Sequence, residues 1–304
     1  NNLFCDYCHP NKITTAENDF YKFLQSITDK STVINRNDRT VLNGKELDFY
    51  IPSKKIAIEI NGLYWHSEIG GERKKLYHLN KTRSCACHGI ALVHIFENEL
   101  IHKKEIVYSI IKNLLNVNRE KIDARNCVVK EIDEGSKNKF LNENHIQGED
   151  KSSIKLGLFF KDELVSVMTF GKSRFDKKIE WEMIRYCNRV NLSVRGGAGK
   201  LFSYFLNSYK PKSIVSYSDR RFFTGEVYKM LGFNFINYTP PNYYYIMNNY
   251  KDMKNRMMFQ KNRLSEFLKT FDVSKSEWDN MKNNGYDRIW DCGHSKWIFL
   301  NNKG

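Results

Sequence analysis

Residues 46–68 read ELDFYIPSKKIAIEINGLYWHSE, and how this stretch folds decides the rest. ELDFYIP and KKIAIEI are runs rich in β-branched and aromatic residues, joined by a turn at Pro52–Ser53, and they predict adjacent strands. Side chains alternate between the two faces of a strand. Asp48 therefore shares a face with Tyr50, and Glu59 shares one with Asn61, opposite Ile58 and Ile60. If the two strands pair, Asp48 and Glu59 meet near one end. The acids are then either surface charges on a half-exposed hairpin or groups converging on something such as a metal. Two carboxylates held close repel unless a cation or a proton compensates. A hard divalent ion such as magnesium takes oxygen ligands and supplies that compensation.

Outward from the hairpin, TTAENDFYKFLQSI predicts an amphipathic helix. Thr14 or Thr15 can cap it, Glu17 or Asn18 lies in its first turn, and Phe20, Phe23, Leu24 and Ile27 form its apolar stripe. Residues 72–88 return to helical spacing, IALVHIF is a short apolar strand, and IHKKEIVYSIIKNLL is a closing helix. The result is an α-β-β-α-β-α unit. Ahead of it, CDYCHP at residues 5–10 offers Cys5, Cys8 and His9. These read either as part of a structural zinc site completed in a longer chain or as inert cysteines near a terminus.

The bulk properties narrow the class. Among 304 residues, Lys and Arg number 49 against 35 Asp and Glu, a formal charge of +14. That surplus favours a polyanionic partner, the alternative being an ordinary protein from a Lys- and Asn-rich proteome. No apolar run approaches the length of a membrane span, and no secretory leader is evident. The seven cysteines are an odd number at scattered spacings, unlike a disulfide scaffold, so a reducing cytoplasm is expected.

ELDFYIPSKKIAIEINGLYWHSE, followed by YHLNKTRSCACHGIALVHIFENE, resembles the PD-(D/E)XK nuclease superfamily over residues 14 to about 115. The resemblance is to phage-encoded homing endonucleases of that fold and, more distantly, to very-short-patch repair endonucleases. It implies a DNA endonuclease using Mg2+ or Mn2+, acting on double-stranded DNA in the cytoplasm of a bacterial host. Asp48 and Glu59 are the implied metal ligands, and Glu17 is the match to a helical glutamate, with helix capping as its other reading. The motif's lysine position holds Asn61, an amide that brings no positive charge. Lys81 on the following helix is the candidate for a relocated lysine. His66 is the candidate proton acceptor, against a loop histidine packed on Trp65. A repair or restriction endonuclease is one alternative. A catalytically inactive DNA-binding protein is another, kept open by Asn61.

From Lys121 to Tyr250, IKLGLFF, ELVSVMTFG and IEWEMIRYC predict three strands with short turns between them. RGGAGKLFSYFLNSY is a Gly-rich loop entering a helix, and SIVSYSD is a further strand. RGGAGK lacks the spacing of a nucleotide-hydrolysing phosphate loop. Together with YKMLGF at residues 228–233, it resembles GNAT acyltransferases, in which such a loop binds the pyrophosphate of acyl-coenzyme A at a helix start. The resemblance implies a working acetyltransferase, a converted fold contacting DNA, or a structural spacer. Arg195, Lys200, Arg220 and Arg221 around the loop are candidate contacts to a DNA phosphate.

The tail from residue 251 interleaves Lys254, Arg256, Lys261, Arg263, Arg288 and Lys296 with Trp278, Tyr286, Trp290 and Trp297. The cations are candidate phosphate contacts and the aromatics a small core. The expected architecture is α/β throughout. It comprises a partial zinc-knuckle segment (1–12), a PD-(D/E)XK-like core (13–118), a GNAT-like domain (121–250) and a basic aromatic C-terminal module (251–304).

Overall fold

The computed structural model describes residues 14–117, 120–247 and 250–301, so Cys5 and Cys8 lie outside the described residues. The fold is mixed α/β. The chain opens with α1 (Thr15–Ile27), β1 (Asn35–Leu42), β2 (Lys45–Ile51), β3 (Ile56–Asn61), α2 (Tyr77–Cys87), β4 (Ala91–Phe96), α3 (Glu97–His102) and α4 (Lys104–Leu114). It continues through β5 (Glu120–Asp123), β6 (Val128–Glu131), α5 (Glu134–Asn144), β7 (Ile154–Phe160), β8 (Glu163–Lys172) and β9 (Trp181–Asn188). Then follow β10 (Leu192–Arg195), α6 (Gly197–Tyr209), β11 (Ser213–Asp219), α7 (Glu226–Met230) and β12 (Asn234–Tyr238). The last elements are β13 (Tyr243–Ile246), β14 (Met253–Asn255), α8 (Glu277–Asn283), β15 (Asp287–Trp290) and β16 (His294–Leu300).

β1 to β4 form a four-stranded sheet in chain order, antiparallel until β4 joins β3 in parallel. The parallel step needs a crossover, which α2 supplies. β3 is buried along its whole length, because one face meets α2 and the other meets α1 and α4. On that second face Phe20, Phe23 and Leu24 of α1 pack against Phe49, Ile58 and Val107. The start of α1 is set by a capping box, in which Glu17 N–H donates to Thr14 Oγ1 and Thr14 N–H to the Glu17 carboxylate.

A seven-stranded sheet ordered β12-β16-β11-β9-β8-β7-β6 forms the second layer. The expected C-terminal module differs here. β16 lies between β11 and β12, pairing antiparallel with both, and Trp297 is part of the sheet's core. The chain between β12 and β16 forms the small sheet β14-β13-β15 with a cluster built on Tyr243, Tyr245, Met281 and Trp290. It is thus an excursion between the edge strand β12 and its neighbour β16. Gly293 makes the return possible: at φ +71 a Cβ there would sit 2.4 Å from the Thr239 carbonyl oxygen.

The two larger sheets are joined through Arg221, which is 2% exposed. Its guanidinium pairs with Glu99 of α3 at 3.0 Å and with Asp219 at the end of β11 at 3.1 Å. Its backbone carbonyl accepts the His94 N–H of β4, and its guanidinium lies over Phe96. Removing one partner of a buried ion pair strands the others without compensation. Arg221→Met is therefore expected to cost about 3–5 kcal/mol, read as an earlier urea unfolding midpoint. Adding Glu99→Gln to Arg221→Met is expected to recover part of the loss.

Candidate functional site

The β2–β3 ladder runs from Ile51↔Ile56 to Phe49↔Ile58 and then opens. In the opening, Ile60 N–H donates to Asp48 Oδ2 at 2.7 Å, and Asp48 N–H donates to Glu59 Oε1 at 3.2 Å. The carboxylates have taken the amides that would otherwise continue the ladder, so both acids sit in one fork. Lys81 of α2 reaches the same fork and donates to Glu59 Oε2. The structure thus brings Asp48, Glu59 and Lys81 together.

Burial, followed by the nearby Glu59 charge, holds the Asp48 carboxyl well above the ordinary carboxylate range. Burial also raises Glu59, with Lys81 as the main opposing influence. Burial works against the Lys81 charge as well, yet Glu59 and Asp48 keep its ammonium above its ordinary value. One lysine therefore faces two crowded acids, and the fork lacks positive charge.

The other expected members stand apart. Glu17 is held by the Thr14 cap and feels the fork only through space. Asn61 is fully buried one step along β3, where its amide nitrogen donates to the Ile95 carbonyl and its Oδ1 has no partner. His66 bonds to His78 rather than to either acid, Nδ1 to Nε2 at 3.2 Å, while His78 Nδ1 donates to the Trp290 carbonyl at 2.7 Å. A carbonyl only accepts, so His78 Nε2 accepts from His66 Nδ1–H, and His66 keeps its lone pair on Nε2. Burial holds both imidazoles neutral: His66 lies well below its ordinary value and His78 at about 3.

Several expected phosphate contacts are engaged inside the protein. Arg221 is buried in its ion triad, which removes it from any nucleic-acid surface. Arg288 forms a forked bond to Glu68 at 2.6 and 2.8 Å. Lys200 donates to the Ala124 and Cys127 carbonyls. Lys296 pairs with Asp176, and Arg195 with Asp123. Arg256 pairs with Glu277 and Arg263 with Glu266, both at partly exposed positions, and Lys254 and Lys261 are exposed. Arg220 donates to the Cys292 carbonyl and lies over the Tyr238 ring.

A second site was less visible in the sequence. β9 and β11 pair in parallel only at Trp181↔Ile214 and Glu182↔Val215, then separate. Beyond that point lies a cleft of about 1000 Å³. Arg185 and Tyr186 of β9, Gly196 to Gly199 at the start of α6, and Tyr228 of α7 line it, and α4 and β4 of the first sheet close one side. Gly196 caps α6 at φ +76, a left-handed conformation suited to glycine, and a Cβ on Gly199 would meet nothing within 4 Å. Burial keeps the Tyr228 and Tyr186 phenols neutral by raising both, Tyr186 to about 12. A lone basic position in the strand IEWEMIRYC was the one sequence signal for Arg185.

No protein-family model and no curated protein matches the sequence. Solved structures similar to the chain include an acetyltransferase from Bacillus subtilis in complex with CoA, at 12% identity and a TM-score of 0.32, covering 58% of this chain and 97% of that one. Another is a GNAT family acetyltransferase from Elizabethkingia anophelis with acetyl-CoA bound, at 12% identity and a TM-score of 0.32, covering 58% and 99%. A third is aminoglycoside 6'-acetyltransferase type Ii, at 12% identity and a TM-score of 0.31, covering 57% and 96%. All three are acetyltransferases and none is described as a nuclease. This corrects the expectation of a metal-dependent DNA endonuclease, whether homing, repair or restriction, and the nuclease core is not shown. Among the described residues, no group of three or more His, Cys, Asp or Glu side chains is placed to hold a metal ion. No helix among them is long and apolar enough to cross a membrane.

The fork has a measurable consequence in pH. An acid whose pKa is raised on folding favours the folded state below its ordinary pKa and costs stability as pH rises above it. Asp48→Asn stays neutral and keeps an acceptor for Ile60 N–H. In the absence of divalent ions, its melting temperature is expected to match the parent near pH 4 and to exceed it by a few degrees near pH 7. A difference that does not change with pH would remove the electrostatic reading of the fork.

Proposed function

We propose that the cleft between β9 and β11 binds an acyl thioester of the coenzyme A type and that the protein transfers the acyl group to a small acceptor. The observation that carries this reading is the cleft itself. It begins where the two-residue parallel ladder ends, and the N-terminus of α6 opens onto it through Gly196–Gly199. Backbone amides at a helix start, with no side chains in the way, suit a pyrophosphate. The groove left by the separated strands offers edge groups and length for an extended thiol arm.

The chemistry such a site has to perform is limited. The acceptor's nucleophile forms a bond to the acyl carbon, the carbon–sulfur bond breaks, the nucleophile's proton passes to water, and sulfur takes a proton. A neutral phenol beside the cleft can donate that last proton, and Tyr228 is the residue in place. Gly199→Glu tests the reading with little risk to folding, because the position faces open space. It is expected to weaken acetyl-CoA binding at least about tenfold by repelling the pyrophosphate while leaving the melting temperature nearly unchanged. Unchanged affinity would remove the cleft as the thioester site.

A second reading concerns the Asp48–Glu59 fork and is favoured by its shortage of positive charge. We propose that it takes a divalent cation such as Mg2+, which binds through one or two carboxylates and retains several waters. Double-stranded DNA is the proposed polyanionic partner. Lys254, Lys261 and Arg263 are the exposed cations proposed to meet its phosphates. Millimolar Mg2+ is expected to raise the melting temperature of the parent and not that of Asp48→Asn. Equal shifts in the two proteins would place the ion elsewhere.

A further inference from the structure

Several buried or half-buried cations around the second sheet have acidic partners, while Lys200 and Arg220 are held by backbone carbonyls. Arg174 pairs with Glu182, Arg189 with Glu120 and Glu163, Lys137 with Glu134 and Asp150, and Lys296 with Asp176. At one end of the cleft two cations without acidic partners share a single loop. Arg185 lines the cleft, and its hydrogen bonds go to backbone carbonyls, those of Ile184 at 2.9 Å and Gly148 at 3.4 Å. Lys103, at the junction of α3 and α4, donates to the Ile146 carbonyl at 2.5 Å. Both cations thus hang on the loop that follows α5, and neither forms an ion pair among the described residues.

The same loop carries His145, which also lines the cleft. Its Nδ1 accepts the Gln147 N–H at 3.1 Å, so in the neutral ring Nε2 carries the hydrogen and donates. Two cations and a donor are therefore gathered around one loop. The acids that influence them are already engaged: Asp150 with Lys137 and Thr169, and Glu99 with Arg221. Burial lowers Lys103, Arg185 and His145 alike, and Arg185 adds to the lowering of both neighbours.

We propose that Arg185, Lys103 and His145 form a binding site for a small oxyanion, a carboxylate or a phosphate. Resting on the acyl-transfer reading, this group belongs to the acyl acceptor. An arginine fork and an ammonium around one oxyanion give charge-assisted bonds with defined geometry. The anion also relieves the repulsion between the two cations. The acceptor is then a small acid, and it enters from the α5–β7 side of the cleft.

The test is calorimetric titration of the full chain with inorganic phosphate, with malonate and with acetyl-CoA, each against the parent and Arg185→Met. The expected result is a loss of at least about tenfold in affinity for phosphate, malonate or both, with acetyl-CoA affinity changed less than about threefold. A response to phosphate alone assigns a phosphorylated acceptor, and a response to malonate alone a carboxylic acid. If Arg185→Met does not fold, Lys103→Met is expected to show the same loss. Parent protein that binds neither probe overturns the proposal. So does phosphate binding that responds to Gly199→Glu and not to Arg185→Met. Oxyanion binding that depends on Arg185 in a protein that does not bind acetyl-CoA keeps the site and removes the acyl-transfer reading.

Discussion

Arg221 fixes the relation on which both candidate sites depend. Three charged groups are withdrawn from water where the two sheets meet, and the one guanidinium compensates both acids. Such a cluster stabilises less than an apolar contact of the same size, because desolvation offsets most of the attraction. Its value is selectivity: any sliding between the sheets leaves a charge buried and alone. The backbone adds to this, since Arg221 O accepts the His94 N–H of β4 directly. α4 and β4 are therefore held against the open end of the β9–β11 gap, and a strand splay becomes a walled cleft.

The two sites differ in the sign of what they lack. The fork at Asp48 and Glu59 has two acids and one lysine; the loop end of the cleft has Arg185 and a donor, with Lys103 held by the same loop, and the neighbouring acids are occupied elsewhere. Local charge without a partner, in a place that solvent or a ligand can reach, is where a structure departs from its own stability optimum. By this criterion the fork and the loop stand out from the many paired charges around them.

Much of the first sheet was legible because periodicity and burial agree. KKIAIEI and IALVHIF are continuous apolar runs, and both become strands buried on each face. β1 was missed, and the reason is visible in NRNDRTVL: it is an edge strand with mostly polar side chains in partial contact with solvent. The convergence of Asp48 and Glu59 could be read from alternation alone, and Lys81 from helical placement. The His66–His78–Trp290 chain could not, because its last member lies 212 residues from His78 in sequence. The same limit hid the place of β16. HSKWIFL reads as a tail strand, and only the sheet register shows it between β11 and β12.

The formal charge of +14 was the broadest clue in the sequence, and the structure changes its meaning. A net charge counts residues without regard to where they point. Arg221, Arg288, Lys296 and Lys200 all contribute to the surplus, yet each is bound to an internal acid or carbonyl. Arg288 holds the excursion between β12 and β16 against the loop at Glu68, and Asp287 beside it takes the Ile69 and Gly70 amides. These cations act as fasteners between segments distant in sequence. Among the cations singled out in the second half of the chain, two kinds remain for partners: exposed lysines on the excursion, and the two cations around the α5–β7 loop. The first set would act through the general field and weaken with salt, while the second would act through contact in a partly buried cleft and persist. Salt dependence therefore separates the two kinds of anion recognition that one composition figure merges.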